Sequence, residues 1–314
     1  MRFAAIFALA VALHAAGPRW PAGLDLYRPV PEDNRLTAAK IALGKRLFND
    51  RWLSRDGSLS CASCHDRRKS FTDGRAVAEG VGGARGERNV PTIVNRAWGS
   101  RFLLDGRAAT LEEQALLPIF NPKELGMTPE AVLELLRSSR YRSEFLTAFG
   151  DEPSLENASR ALASYMRTIL SGDSTHDRHV LSVSAQRGLG LFRGKARCTA
   201  CHGGPNFTDE EFHNTGVAWR TGIVTDEGRA AITHVAGDRG AFKTPTLREV
   251  SLTAPYMHDG SAASLDEVIE FYDGGGQRNP GLDSKIRPLH LTGSEKQDLL
   301  AFLKSLAGRI QDGD

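Results

Sequence analysis

The chain has 314 residues, 40% hydrophobic and 25% charged, with 40 Lys and Arg against 38 Asp and Glu for a formal net charge of +2 and a pI near 8.4. This is globular composition in a chain long enough for two ordinary domains. It excludes a large basic field, so neither nucleic acid nor an anionic membrane surface is expected as a partner.

Met1-Arg2 followed by the mostly apolar run Phe3 to Ala16 has the charged start, short hydrophobic stretch and small-residue end of a secretory signal. Residues 1–16 are therefore expected to be removed, and the mature protein to be periplasmic. No run of about 18 apolar residues occurs, so no membrane association is expected after cleavage. Residues 17–34, rich in Pro and Gly, are expected to form an extended leader. A helix is predicted from near Thr37, with Leu36, Ile41, Leu43, Leu47 and Phe48 on one face. It delivers the chain to Cys61-Ala62-Ser63-Cys64-His65.

Asp66 to Arg88 is polar and glycine-rich and reads as a loop. Helices are predicted at Thr110 to Phe120, at Pro129 to Arg137 behind an N-cap Thr128, and at Leu155 to Leu170. The polar stretch Ser171 to His179 is the expected boundary between halves, giving an N-terminal domain over 35–172 and a C-terminal domain over 173–314. The second half opens with a predicted helix at Ser184 to Phe192 and passes Cys198-Thr199-Ala200-Cys201-His202. It ends with helices at Ser264 to Tyr272 and Ser294 to Leu306. No strand pattern stands out, so a mainly α fold is expected.

The two pentapeptides use every cysteine in the chain. C-x-x-C-H is the pattern in which two thiols capture the vinyl groups of a haem and the following histidine ligates its iron. A dithiol redox pair or half a zinc site would leave both histidines without a role. Two covalently bound haem c groups, with His65 and His202 as proximal ligands, are the expected cofactors.

An internal repeat lets one half be read against the other. Pro91-Thr92-Ile93 matches Pro245-Thr246-Leu247, and the block from Asp105 to Glu113 matches that from Asp259 to Glu267, both at an offset of 154 (245 − 91 and 259 − 105). The haem motifs are 137 apart (198 − 61). The second half thus carries extra residues between its motif and the repeated blocks.

A strong sixth ligand favours electron transfer, whereas an open position lets peroxide bind. No histidine lies between His65 and His176, and Met127 is the one methionine of the mature chain before Met166. In the second half Met257, His258 and Tyr272 are near enough in sequence to close the iron. Tyr272 lies thirteen residues beyond Asp259, and the matching residue thirteen beyond Asp105 is Pro118, which cannot ligate a metal. Beyond Pro118 comes Glu124, a carboxylate able to act as acid or base, and Gln114 lies about one turn before it. The register predicts one closed haem and one open.

From Leu36 to Leu306 the sequence resembles the bacterial di-haem cytochrome c peroxidase family, within it the MauG-like branch. The resemblance implies an enzyme that reacts with hydrogen peroxide at its N-terminal haem and oxidises a partner. That partner is a small redox protein or a protein substrate whose side chains are oxidised in place. Gln114, Pro118 and Glu124 match the family's distal positions at the peroxide-binding haem, which implies that Glu124 assists deprotonation and O–O cleavage. Asn89, Thr253 and Pro255 resemble the residues that hold calcium between the haems. Tyr272 falls where MauG-like members carry an axial tyrosine, an anionic ligand that favours high oxidation states.

Two positions depart from the family pattern. Leu104 stands where a tryptophan lies between the haems, with Trp98 nearby but off register, and Ala196 stands where MauG has the surface tryptophan that draws electrons from its substrate. The rival function is a non-enzymatic di-haem electron carrier, which requires both irons to be closed.

Overall fold

A computed structural model describes residues 20–313 of the chain. The signal expected over 1–16 and the first three leader residues lie outside this range. The first half runs through α1 (Ala38–Asn49), α2 (Cys61–Cys64), α3 (Leu111–Phe120), α4 (Pro129–Arg137), α5 (Arg142–Phe149) and α6 (Leu155–Met166), then β1 (Leu170–Gly172). The second half contains α7 (Val183–Arg193), β2 (Phe212–His213), β3 (Trp219–Arg220), β4 (Ile223–Val224), α8 (Ala230–Thr233), β5 (Phe242–Lys243), α9 (Leu265–Asp273), α10 (Gly293–Lys304) and β6 (Arg309–Gln311). Helix dominates, and among the described residues the sheet is limited to three antiparallel pairs, β1 with β6, β2 with β5 and β3 with β4. No helix among the described residues is long and apolar enough to cross a membrane.

Local chemistry explains the helix starts. Thr37, Thr110, Thr128, Ser154, Ser182, Ser264 and Thr292 each accept a backbone N–H of the first turn on their side-chain oxygen, and such a cap stabilises by about 1 kcal/mol. The apolar faces then bury. In the first half Leu43, Leu47, Phe48, Leu136, Phe145 and Leu162 join one core, and in the second Phe192, Phe207, Leu299, Phe302 and Leu303 join another. Full burial of each such side chain contributes about 1.5–3 kcal/mol.

The main helix crossing of each half is built on a glycine. A Cβ on Gly44 of α1 would lie 1.9 Å from the Ala161 carbonyl oxygen of α6, and one on Gly188 of α7 would lie 1.9 Å from the Asp298 carbonyl oxygen of α10. Only a residue without a side chain lets these backbones touch.

Three features differ from the sequence reading. The helix predicted over Leu155 to Leu170 ends at Met166. The Ile169 carbonyl instead accepts from Asn95 N (2.9 Å), and Ser171 faces Ile310 in the β1–β6 ladder. Helices α5 and α8 were not predicted, and short strands occur where none was expected. Each strand pairs residues distant in sequence or spans only two positions, so no alternating pattern has room to develop. Ser171 and Ser174, in the polar boundary stretch, are fully buried.

Candidate functional site

Both C-x-x-C-H motifs border one cavity of about 690 Å³. In the first motif Cys61 and Cys64 bracket the single turn of α2, and Ser63 Oγ accepts from Ser60 N (3.0 Å) at its start. The four cysteines are free of disulfide bonds. The His65 ring places Nδ1 3.0 Å from the Phe71 carbonyl oxygen, and the His202 ring places Nδ1 2.8 Å from that of Phe207. A carbonyl can only accept, so Nδ1 carries the proton and Nε2 keeps its lone pair. Burial holds both imidazoles below the ordinary histidine pKa, opposed by those carbonyl bonds, so the rings are neutral as metal ligation requires.

Free thiols at both motifs, a neutral imidazole with a free Nε2 beside each pair and a cavity connecting them fit two covalently attached haems. A bound haem supplies a redox-active iron. A metal cluster is a poorer reading. Cys201, Asp209 and His213 do lie within 4.8 Å of one another, but haem attachment at the C-x-x-C-H motif would take up Cys201. His213 is moreover already bonded to Asp283 (2.6 Å) and Asp209 (2.9 Å).

Phe71-Thr72-Asp73 and Phe207-Thr208-Asp209 are identical tripeptides 136 positions apart (207 − 71). They hold the carbonyls that orient the two histidines, and sequence reading passed over them. The repeat was the available signal.

On the first side, Gln114, Pro118 and Glu124 all border the cavity. Pro118 sits inside α3 and has no N–H for the Gln114 carbonyl, and the helix stops two residues later. The following turn is tied back by Leu125 N to Pro118 O (3.1 Å), and Val81 N of the glycine-rich loop donates to Glu124 O (2.9 Å). These bonds hold Glu124 at the cavity wall, where its charge is felt by both Cys61 and Cys64. Burial raises the Glu124 pKa, while the hydrogen bond from Asn121 and the charge of Arg107 oppose it.

On the second side, Tyr272 of α9 borders the cavity. Burial pushes its phenol up to about 12, with the sulfurs of Cys201 and Cys198 close enough to add to the shift. Met257 and His258 also reach the cavity wall. The His258 ring lies flat on Phe242, centroids 3.8 Å apart and planes 13° apart.

Asn89, Thr253 and Pro255 line the same cavity. Asn89 N donates to His258 O (2.7 Å) and Nδ2 to Arg75 O (2.8 Å), which leaves Oδ1 as its spare oxygen. Leu104 and Ala196 also border the cavity. Trp98 does not: its Nε1 donates to Tyr27 O (2.9 Å), its ring abuts Trp20 and it lines a separate cavity of about 210 Å³.

Residues 38–185 match the family described as di-haem cytochrome c peroxidase. The chain is 42% identical to the methylamine utilization protein MauG of Methylorubrum extorquens, over 88% of this chain and 81% of that one. It is 38% identical to the cytochrome-c peroxidase IdrP1 of Denitromonas iodatirespirans, over 89% and 84%. Among solved structures, a MauG-like protein associated with microbial copper homeostasis superposes with a TM-score of 0.85 at 35% identity, covering 92% of this chain and 96% of that one. With haem-binding chemistry at both motifs and relatives of this identity over most of its length, the chain belongs to the di-haem cytochrome c peroxidase family and is a haem c oxidoreductase.

Proposed function

We propose that the chain is a periplasmic enzyme of two tandem cytochrome c-like haem domains, residues 35–172 and 173–314, that consumes hydrogen peroxide and oxidises a protein partner. The observation that carries this reading is the inequality of the two ends of the cavity: a half-buried carboxylate, Glu124, lies at the Cys61–His65 end, the first pocket, and a half-buried phenol, Tyr272, at the Cys198–His202 end, the second. Cys61, Cys64 and His65 hold one haem, and Cys198, Cys201, His202 and Tyr272 the other. The charged start and apolar run of residues 1–16 support export.

Hydrogen peroxide entering the first pocket meets no side chain able to ligate iron at Pro118. Glu124 takes its proton on the carboxylate, and Asn121 keeps Oε1 in place during the transfer. A haem held by Cys61, Cys64 and His65 would supply the two electrons that break the O–O bond, and Glu124 would return the same proton to the departing oxygen, which leaves as water. Gln114, one turn back on α3, offers an amide to orient the oxygens. Asn89 Oδ1 with the backbone oxygens of Thr253 and Pro255 forms an all-oxygen set suited to calcium between the pockets.

Oxidation of side chains in place on a protein substrate is the favoured outcome, because a tyrosinate ligand at Tyr272 favours high oxidation states. Delivery to a small redox protein is the second reading, favoured by Leu104 and Ala196, which leave no tryptophan at either position. Mixing the peroxide-treated holoprotein with candidate partners and following both haem absorbance and partner mass separates them. Decay with a mass change in the partner supports the first, and decay with reversible partner oxidation the second. A ferric protein that is wholly low-spin and inert to peroxide would sink both.

A further inference from the structure

We infer that Tyr165 is a redox-active residue: it gives one electron to the peroxide-oxidised first pocket while Asp312 takes its phenolic proton. The inference rests on His65 being the iron ligand there.

Three rings lead outward from that pocket. The Phe48 ring lies 6.4 Å from the His65 ring, and the Tyr165 ring lies 5.2 Å beyond Phe48 in an edge-on contact. Phe48 borders the cavity, whereas Tyr165 sits behind it on α6, 2% exposed. Phe48 is too hard to oxidise to hold the charge itself, and it fills the gap with ring density instead of a void.

The tyrosine is built to lose a proton with its electron. Tyr165 Oη donates to Asp312 Oδ2 at 3.2 Å. Asp312 is fixed in turn, with Lys45 Nζ 3.0 Å from its carbonyl oxygen and Arg67 Nε 3.4 Å from Oδ2. Lys45 Nζ also lies 5.8 Å from the centre of the Tyr165 ring. A cation over that ring disfavours a positively charged ring, so removal of the electron requires removal of the proton. The balance is one electron from Tyr165 to the oxidised pocket and one proton from Oη to Oδ2. A neutral tyrosyl radical and a protonated Asp312 remain, and one oxidising equivalent derived from peroxide is spent.

No other described tyrosine combines these features. Tyr256 donates to a backbone carbonyl, Val250 O (2.8 Å), which is a poor proton acceptor. Tyr141 has a carboxylate partner in Asp50 but packs against Arg46 and Arg140, not against a ring beside His65. Tyr27 is 74% exposed, and Tyr272 faces the second pocket. Because Asp312 is 15% exposed and its cationic partners are at the surface, the radical forms one side chain beneath solvent, where it is accessible to an external electron donor.

The test is freeze-quench EPR of the holoprotein mixed with hydrogen peroxide and no donor, with haem absorbance followed in parallel. A tyrosyl signal is expected in the native chain, lost in Tyr165→Phe, which keeps the ring and its packing, and retained in Tyr141→Phe. Asp312→Asn, at the surface, should slow radical formation by about 100-fold, the size of a lost general base. It decides the matter if Tyr165→Phe fails to fold. A tyrosyl signal that survives Tyr165→Phe, is indifferent to Asp312→Asn, or never forms although the haem absorbance responds to peroxide overturns the inference and leaves the first-pocket assignment intact. Absorbance that does not respond to peroxide overturns both.

Discussion

Asn121 Nδ2 donates to Glu124 Oε1 at 2.7 Å. The two residues straddle the turn that follows α3, so the carboxylate at the first pocket is gripped by its own loop. Burial drives the Glu124 pKa above 4.5, and Asn121 opposes the rise by favouring the charged form.

The carboxylate must be ionised to take a proton from peroxide. Peroxide consumption should therefore fall as pH drops through a value above the ordinary glutamate range. Asn121→Ala removes the opposing hydrogen bond and should move that inflection to higher pH. Glu124→Gln should slow the reaction by about 10²–10⁴-fold with both haems still attached, measured by stopped-flow absorbance and by mass. Native kinetics in Glu124→Gln would remove this residue from the mechanism.

Tyr272→Phe should convert the low-spin ferric spectrum of the second haem to high-spin and raise its midpoint potential, since an anionic oxygen ligand has been lost. Spectroelectrochemistry reads both changes. The peroxide reaction at the first pocket should persist. A spectrum identical to the native one would transfer the ligand role to Met257 or His258.

Asn89→Ala should lower bound calcium, counted by atomic emission, and a chelator should do the same to the native protein. If calcium binds only the folded chain, its removal costs stability by mass action, about 2.7 kcal/mol when free calcium stands at 100 times its Kd. Readdition should restore the native chain but not Asn89→Ala. A native chain purified without calcium and unaffected by chelator would eliminate the site.

Arg248 is fully buried and pairs with Asp177 at 2.5 Å, while its Nε and Nη2 donate to Pro205 O (2.9 and 2.7 Å) and Nη2 also reaches Gly23 O (2.8 Å). It thus ties the leader to the loop that ends in Phe207, the carbonyl partner of His202. Asp177→Asn leaves a buried cation without its counterion and should cost about 3–5 kcal/mol, measured by thermal or denaturant unfolding. Burial alone would raise the Asp177 pKa, but the bond and charge of Arg248 outweigh it and hold the group below its ordinary value. The pair's stabilisation is therefore complete above the ordinary aspartate pKa and is lost as pH falls through the lowered one. A variant as stable as the native chain at neutral pH would contradict this account.

Much of this site was legible before any coordinates. The doubled C-x-x-C-H, the repeat that set Pro118 against Tyr272, and the helix starts at Thr37, Thr110, Thr128 and Ser264 all depend on neighbours within a few residues or on the comparison of one half with the other. The tripeptides ending in Asp73 and Asp209 were equally visible as a repeat, yet only the hydrogen bonds from His65 and His202 gave them a purpose.

Tertiary structure decided what lies far apart in the chain. The end of α6 at Met166 follows from β1 pairing with β6, about 140 residues away, a contact that local propensity cannot anticipate. Glu124 reaches the first pocket because the loop at Val81 holds its backbone. Tyr165 and Asp312 are 147 positions apart in sequence. Sequence by itself determined which residues bring chemistry, since side-chain type and short spacing are written in it. Which of them share a pocket was decided by contacts between segments far apart in the chain, because only packing brings distant groups within hydrogen-bonding range.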